Sequence, residues 1–95
     1  MFVILVTYKK PLQFIDEYLT EHVNFLDQGY QKNCFVVSGR RNPRIGGVII
    51  SQLNDRNQLE DLIKQDPFHI HELADYEIIE FTPRGHHPDF SAFLA

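Results

Sequence analysis

His22 and Asp66 are the two residues whose types and positions favour chemistry carried out together. His22 lies in the middle of an apolar stripe at helical spacing, formed with Ile15, Leu19 and Leu26. Asp66 follows a second predicted helix, from which its carboxylate can approach the inner face of the first. In a His–carboxylate pair the carboxylate fixes the imidazole tautomer and the imidazole moves the proton. The pattern predicts a general acid–base site.

Both residues also have plainer explanations. A histidine on an apolar helix face is often a hydrogen-bonded core residue, and the Asp66-Pro67 dipeptide is ordinary turn chemistry after a helix. The spacing alone leaves catalytic and structural roles open for the pair.

Five further residues are candidates to line a substrate pocket beside the pair. Ser38 ends a predicted strand and can donate a hydrogen bond, and Gly39 lets a ligand approach the backbone. Tyr8 ends the first predicted strand, and Arg40 or Arg44 can hold an anionic group. The alternatives are a simple strand end followed by a turn, and a solvated basic loop.

Metal and thiol chemistry find little support in the sequence. His69, His71, His86 and His87 match no strong zinc-ligand spacing, and Cys34 is the single cysteine. Cys34 begins an apolar strand and is expected to be inert, and no glycine-rich phosphate loop precedes a helix. We predict no metal and no cofactor.

Composition and charge restrict the class of protein. The chain has 95 residues, which is one domain, and a net charge of −4, which argues against a general nucleic-acid binder. A single cysteine cannot form an intramolecular disulfide, so a reducing, cytoplasmic setting is expected. The apolar start lacks the features of a signal peptide, and no apolar run is long enough to span a bilayer, so no membrane partner is expected.

Six elements are predicted from periodicity and breaker residues. Their ranges are strand Phe2–Tyr8, helix Leu12–Gln28 stopped by Gly29, strands Cys34–Ser38 and Val48–Ser51, a helix capped by Asn54 or Asp55 and running to about Gln65, and strand Tyr76–Thr82. The order β-α-β-β-α-β predicts an α+β, ferredoxin-like domain over residues 1–83, with a four-stranded antiparallel sheet and both helices on one face. Residues 84–95 are predicted to form a loop-like tail with an apolar end.

The predicted strands are apolar on both faces, whereas the helices cover only one. An uncovered apolar sheet face marks an interaction surface, so we predict a homodimer that packs sheet to sheet around a two-fold axis. The sequence leaves open whether such dimers assemble further.

An ordered set of short motifs resembles the YciI-like (YCII-related) family across about residues 1–83. The set comprises an apolar first strand ending at Tyr8, His22 followed by Leu26 and Gly29, Ser38-Gly39, Gly46-Gly47, the Asp66-Pro67-Phe68 turn, and the apolar last strand Tyr76–Phe81. The resemblance implies a dimeric α+β barrel similar in fold to muconolactone isomerases. It also implies an active site built on a His–Asp pair, which falls here on His22 and Asp66.

Most members of that family have no assigned reaction, and one characterised branch resembles a dehydrochlorinase acting on a chlorinated hydroxyquinol. The family often carries Pro directly after Ser-Gly, where this chain has Arg40. The basic loop that results favours an anionic ligand. The leading hypothesis is therefore a small cofactor-independent enzyme that transfers protons on a small phenolic or anionic substrate. The alternatives are a small-ligand-binding module that does no chemistry, and a structural dimer in which His22 and Asp66 are core polar residues.

Overall fold

Four strands form one antiparallel sheet in the computed structural model, which describes residues 1–94. The strands are β1 (Phe2–Tyr8), β2 (Phe35–Arg40), β3 (Gly46–Ser51) and β4 (Ala74–Glu80), in the spatial order β2-β3-β1-β4. β1 lies in the centre because its β-branched and aromatic residues suit burial on both faces. This is the predicted α+β, ferredoxin-like arrangement.

Four helices lie on one face of the sheet. They are α1 (Leu12–Glu17), α2 (Leu19–Gln31), α3 (Arg56–Ile63) and α4 (Pro67–Ile70). The core lies between the helices and the sheet, where alternate residues of β1 are buried together with apolar side chains of the helices. Its completely buried apolar members are Phe2, Ile4, Ile15, Leu59 and Phe68. Within residues 1–94, every helix is too short or too polar to cross a bilayer.

The first helical region is interrupted, and the prediction of one helix over Leu12–Gln28 is wrong. Tyr18 leaves the helical conformation at φ −110° and ψ 11°, and its ring stacks on His71 at a centroid distance of 3.9 Å. The apolar periodicity continues across both helices, so it shows neither the break at Tyr18 nor the contact with His71.

The predicted stop at Gly29 is also wrong, because α2 continues through it to Gln31. Gly29 is buried, and a Cβ at this position would overlap the ring of Phe35. The chain turns away after Gln31 at Asn33, whose φ of 58° is the left-handed conformation that asparagine tolerates better than most residues. Gly29 is thus a packing residue.

Other boundaries shift by a few residues. β2 extends to Arg40 and β3 begins at Gly46, so the connection between them is shorter than predicted. α3 runs from Arg56 to Ile63, with Asp55 accepting a hydrogen bond from Asn57 N–H as its N-cap. β4 ends at Glu80, before the predicted end at Thr82. Phe81 N–H bonds to the Met1 carbonyl just beyond the paired residues of β1 and β4.

The sheet face opposite the helices carries a group of apolar side chains, which we call the open sheet face. The strand register places them together: Val3, Leu5, Val37, Val48, Ile50 and Ile79. Val37 and Ile79 are half exposed. The tail forms a 3₁₀ helix over Pro88–Phe93, and its last residue, Ala95, lies outside the described residues.

Candidate active site

His22 and Asp66 are in direct contact, although 44 residues separate them in the sequence. The His22 Nδ1 atom lies 2.8 Å from Asp66 Oδ1. His22 occupies the first turns of α2, and Asp66 is the N-cap of α4. The fold brings α2 and α4 side by side on the sheet, which places the imidazole over the carboxylate.

Asp66 is completely buried and is held as a hydrogen-bond acceptor on both oxygens. Oδ1 accepts from Phe68 N–H at 3.0 Å as well as facing His22, and Oδ2 accepts from the Tyr76 hydroxyl at 2.7 Å. Because Phe68 N–H donates to Oδ1, this oxygen is an acceptor, and the geometry favours the tautomer in which His22 Nδ1 carries the proton of the pair. The capping role and the pairing role therefore belong to one carboxylate.

The imidazole of His22 is fixed in orientation by an aromatic neighbour. The Phe68 ring stacks on it at a centroid distance of 4.0 Å and an interplanar angle of 7°. The Asp66 bond occupies Nδ1, and Nε2 has no hydrogen-bond partner among residues 1–94. Nε2 is therefore the ring nitrogen that is available to a ligand.

A cavity of about 170 Å³ lies beside His22 and receives most of the predicted site residues. Tyr8, Ser38, Gly39 and Arg40 all line it together with His22. Its remaining walls are mainly apolar side chains of the sheet and of α2, joined by Phe68. The arrangement combines an imidazole nitrogen, a hydroxyl and a guanidinium around one small apolar space.

The hydroxyl of Ser38 is bonded to the Tyr30 hydroxyl at the end of α2. A phenol is a better proton donor than an aliphatic alcohol, so Tyr30 donates and leaves the Ser38 proton free to point at a ligand. Tyr30 was not among the predicted site residues. Its position at the buried side of the α2 terminus, facing β2, depends on the tertiary packing of that helix.

The three arginines of the basic loop have different surroundings. Arg44 donates a hydrogen bond to the Asp16 carboxylate of α1, and this bond raises the pKa of Arg44. Arg41 donates to the Thr7 hydroxyl at 3.1 Å. Arg40 has no ion-pair partner among residues 1–94 and lines the cavity. The structure thus places Arg40 at the pocket and Arg44 outside its lining.

Tyr76 is a second site residue that the sequence pattern did not reveal. It lies on the helix-covered face of β4, and its hydroxyl reaches Asp66 Oδ2. Burial, reinforced by the negative charge of Asp66, raises the pKa of Tyr76. The available signal was the alternation of β4, which puts Ala74, Tyr76 and Ile78 on the same inward face.

The histidines considered for metal binding are dispersed. His71 stacks on Tyr18, and His69 lies 5.6 Å from Tyr76 by ring centroids. In the part of the chain that the structure describes, no three His, Cys, Asp or Glu side chains are close enough together to share a metal ion.

Comparison with known proteins identifies the family of the chain. The family model of the YCII-related domain matches residues 1–82. The chain belongs to the YCII-related family. Its sequence matches none of the curated proteins.

Among solved structures, this YCII-related chain is similar to 5-chloro-2-hydroxyhydroquinone dehydrochlorinase (TftG) from Burkholderia phenoliruptrix, in complex with 2,5-dihydroxybenzoquinone. The two share 16% sequence identity with a TM-score of 0.69, over 86% of this chain and 94% of the dehydrochlorinase chain. Such a likeness shows a common fold.

Proposed function

We propose that this YCII-related protein is a cofactor-independent enzyme that transfers protons on a small phenolic or anionic organic ring. The reaction class is isomerisation or elimination. The observation that carries the proposal is the contact of 2.8 Å between His22 Nδ1 and the fully buried carboxylate of Asp66, with His22 in the wall of a cavity.

The tautomer that Asp66 imposes suits His22 to act as a general base. With its proton on Nδ1, the imidazole has its lone pair on Nε2 and can take a proton from a substrate hydroxyl or carbon. Asp66 then stabilises the imidazolium. In an isomerisation His22 returns the proton to another atom. In an elimination the leaving anion departs with the electron pair of its broken bond, and the proton passes to solvent.

The cavity favours one small oxygenated ring as the substrate. Its volume of about 170 Å³ is below the roughly 300–1,000 Å³ of pockets that hold drug-sized ligands. Arg40 supplies a positive charge for a phenolate or carboxylate, and the Ser38 hydroxyl supplies a donor. The dehydrochlorinase of the same fold binds 2,5-dihydroxybenzoquinone, a planar ring with oxygen substituents.

Proton exchange tests the proposal without knowledge of the product. Hydroxylated and carboxylated aromatic rings, some of them halogenated, are incubated with the protein in D₂O, and proton NMR follows C–H exchange while halide release is measured. We expect His22→Ala to lower the rate by about 10²–10⁴-fold, the range for loss of a general acid–base group. Asp66→Asn should lower it at least about tenfold, because the tautomer is no longer fixed.

His86→Ala is the matched control, since it makes the same change in the tail, outside the cavity. Equal rates for the wild type, His22→Ala and Asp66→Asn on a ring that the protein turns over would contradict the proposal. Calorimetric binding of 2,5-dihydroxybenzoquinone, with no exchange or elimination on any ring, would instead favour a binding module.

We also propose that the protein is a homodimer joined through the open sheet face. Six apolar side chains share that face, which lies opposite the core, and two of them, Val37 and Ile79, are half exposed. A small domain gains apolar burial by pairing such a face with a second copy.

A further inference from the structure

We propose that Tyr76 is a positioning residue of the site, which holds the Asp66 carboxylate in place and sets how strongly it binds the proton on His22. This inference rests on the proposed function. The Tyr76 hydroxyl donates to Asp66 Oδ2 at 2.7 Å, and the Asp66 side chain is completely inaccessible to solvent.

The two oxygens of Asp66 have unequal surroundings. Oδ1 is shared by His22 Nδ1 and Phe68 N–H, whereas the Tyr76 hydroxyl is the partner of Oδ2. Rotation of the carboxylate would break three hydrogen bonds at once. Tyr76 therefore locks the plane in which Oδ1 meets the imidazole.

The same bond changes the electrostatics of the pair in a definite direction. A donor at Oδ2 stabilises the negative charge of Asp66, and it does so most when His22 is neutral and no imidazolium is present to share that charge. Removing the donor destabilises the pair with a neutral imidazole more than the pair with an imidazolium. His22 should then bind its proton more tightly, and its titration should move to higher pH.

Tyr76 is suited to this role because it remains a donor. Its hydroxyl is buried, which raises the pKa of Tyr76 above its ordinary value, so the phenol keeps its proton throughout the pH range in which histidine titrates. Other ionisable groups lie near the pair. Tyr8 on β1 and Arg40 on β2 line the cavity beside His22. A second cavity, which Tyr76 lines, is also lined by Glu60 and Lys64 of the α3 region, His69 on α4, and Lys9, Glu72 and Asp75. Tyr76→Phe leaves all of them in place.

An NMR titration of the His22 ring nitrogens tests the inference on four forms of the full chain: wild type, Tyr76→Phe, Asp66→Asn and Tyr18→Phe. We expect the His22 midpoint to rise by about 0.5–1 pH unit in Tyr76→Phe, a fraction of what a hydrogen bond to a charged group contributes. It should fall in Asp66→Asn, because the carboxylate charge is lost. Tyr18→Phe is the matched control, since its ring stacks on His71 and its hydroxyl makes no bond to Asp66.

The outcomes separate this inference from the proposed function. A midpoint that falls in Asp66→Asn but is unchanged in Tyr76→Phe overturns the role of Tyr76 and leaves the His22–Asp66 pair intact. A midpoint that moves in neither variant overturns both. If Tyr76→Phe does not fold, site-specific replacement of Tyr76 by 3-fluorotyrosine keeps the hydroxyl and makes it a stronger donor. The His22 midpoint should then fall, and an unchanged midpoint overturns the inference.

Discussion

Asp66 is completely buried, and both of its carboxylate oxygens are hydrogen-bonded. A buried carboxylate is costly unless donors replace the water that it has lost. Here three donors do so, from α2, from the first turn of α4 and from β4. Each donor belongs to a different element, so the hydrogen bonds of Asp66 depend on the packing of α2, α4 and β4 against one another.

High pH should reveal the burial of Tyr76. The ordinary pKa of tyrosine is about 10, and burial beside Asp66 raises the pKa of Tyr76 in the folded protein. Below about pH 10 the phenol is protonated in both states. Above about pH 10 the Tyr76 phenol loses its proton in the unfolded chain but keeps it in the folded chain. The free energy of unfolding therefore falls as the pH rises, by up to about 1.4 kcal/mol per pH unit for this group.

Urea unfolding of the wild type and of Tyr76→Phe between about pH 8 and pH 11 measures this effect. The difference in free energy of unfolding between the two should shrink as the pH rises above about 10, because only the wild type carries the buried phenol. A difference that stays constant across that range would contradict the raised pKa.

The sequence was informative about His22 and Asp66 because each has an unusual type at a definite place: an ionisable residue within an apolar stripe, and an acid at a helix–turn junction. Tyr76 and Tyr30 carry no such contrast. Both are amphipathic residues on faces that are partly buried, where tyrosine is common for packing reasons alone. Their roles depend on distances between α2, β2 and β4, which local periodicity does not encode.

At the scale of the elements, α2 is the part that determines the site. It carries His22 near its start and Tyr30 near its end, so one helix orients both the imidazole and the phenol that is hydrogen-bonded to Ser38. Its close approach to β2 depends on Gly29, which lies under the Phe35 ring.

Gly29→Ala should therefore destabilise the protein although alanine is the better helix former. Alanine contributes about 1 kcal/mol in helix propensity, but its Cβ would overlap the Phe35 ring, and overpacking a core costs about 1–3 kcal/mol. Because the overlap is severe, the overpacking cost lies in the upper part of that range, about 2–3 kcal/mol, and we expect a net loss of about 1–2 kcal/mol in the free energy of unfolding, measured with urea.

Gly85→Ala is the control, because a Cβ at that position meets nothing within 4 Å. Equal stabilities for Gly29→Ala, Gly85→Ala and the wild type would show that α2 can move away from Phe35 at no cost. Gly29 would then be an ordinary helix residue.

For α1 and α2, apolar periodicity predicted some features of the helical region and not others. Periodicity predicted the helical region and its buried side at Ile15, whereas Leu19 of the same stripe is 37% exposed. It could not predict the break at Tyr18 or the continuation through Gly29. Those depend on His71 and Phe35, which reach α1 and α2 from other parts of the chain.

For the whole molecule, the order of strands and helices was predictable because each apolar run is short and bounded by breakers. The order β-α-β-β-α-β then restricts the sheet to few topologies, and the observed order β2-β3-β1-β4 is one of them. Strand ends were less predictable, since they depend on which partner strand supplies the last hydrogen bonds.

Ile79→Glu should dissociate the proposed dimer into single chains. Ile79 lies on the open sheet face and is 44% exposed, so a carboxylate there has water around it in a single chain but would be buried, unpaired, between two sheets. Sedimentation velocity should give twice the mass of one chain for the wild type and the mass of one chain for this variant.

Ile70→Glu makes the same change at an exposed isoleucine of α4, away from that face, and should leave the mass unchanged. A wild type that sediments as one chain at high micromolar concentration would contradict the dimer. Dissociation by both variants alike would place the interface elsewhere.

The turn at Asp66-Pro67-Phe68 has an evolutionary consequence. Its first residue holds the imidazole, and its third stacks on the same ring and lines the cavity. A mutation of Asp66 removes the partner of the imidazole, and a mutation of Phe68 alters the ring stack and the cavity wall together, so selection at Phe68 cannot adjust one of these two without the other. Arg40 ends β2 and lines the cavity without belonging to the turn. In descendants of this chain, the proposed contact to an anionic ligand can therefore change by substitution at Arg40 while the His22–Asp66 pair stays as it is.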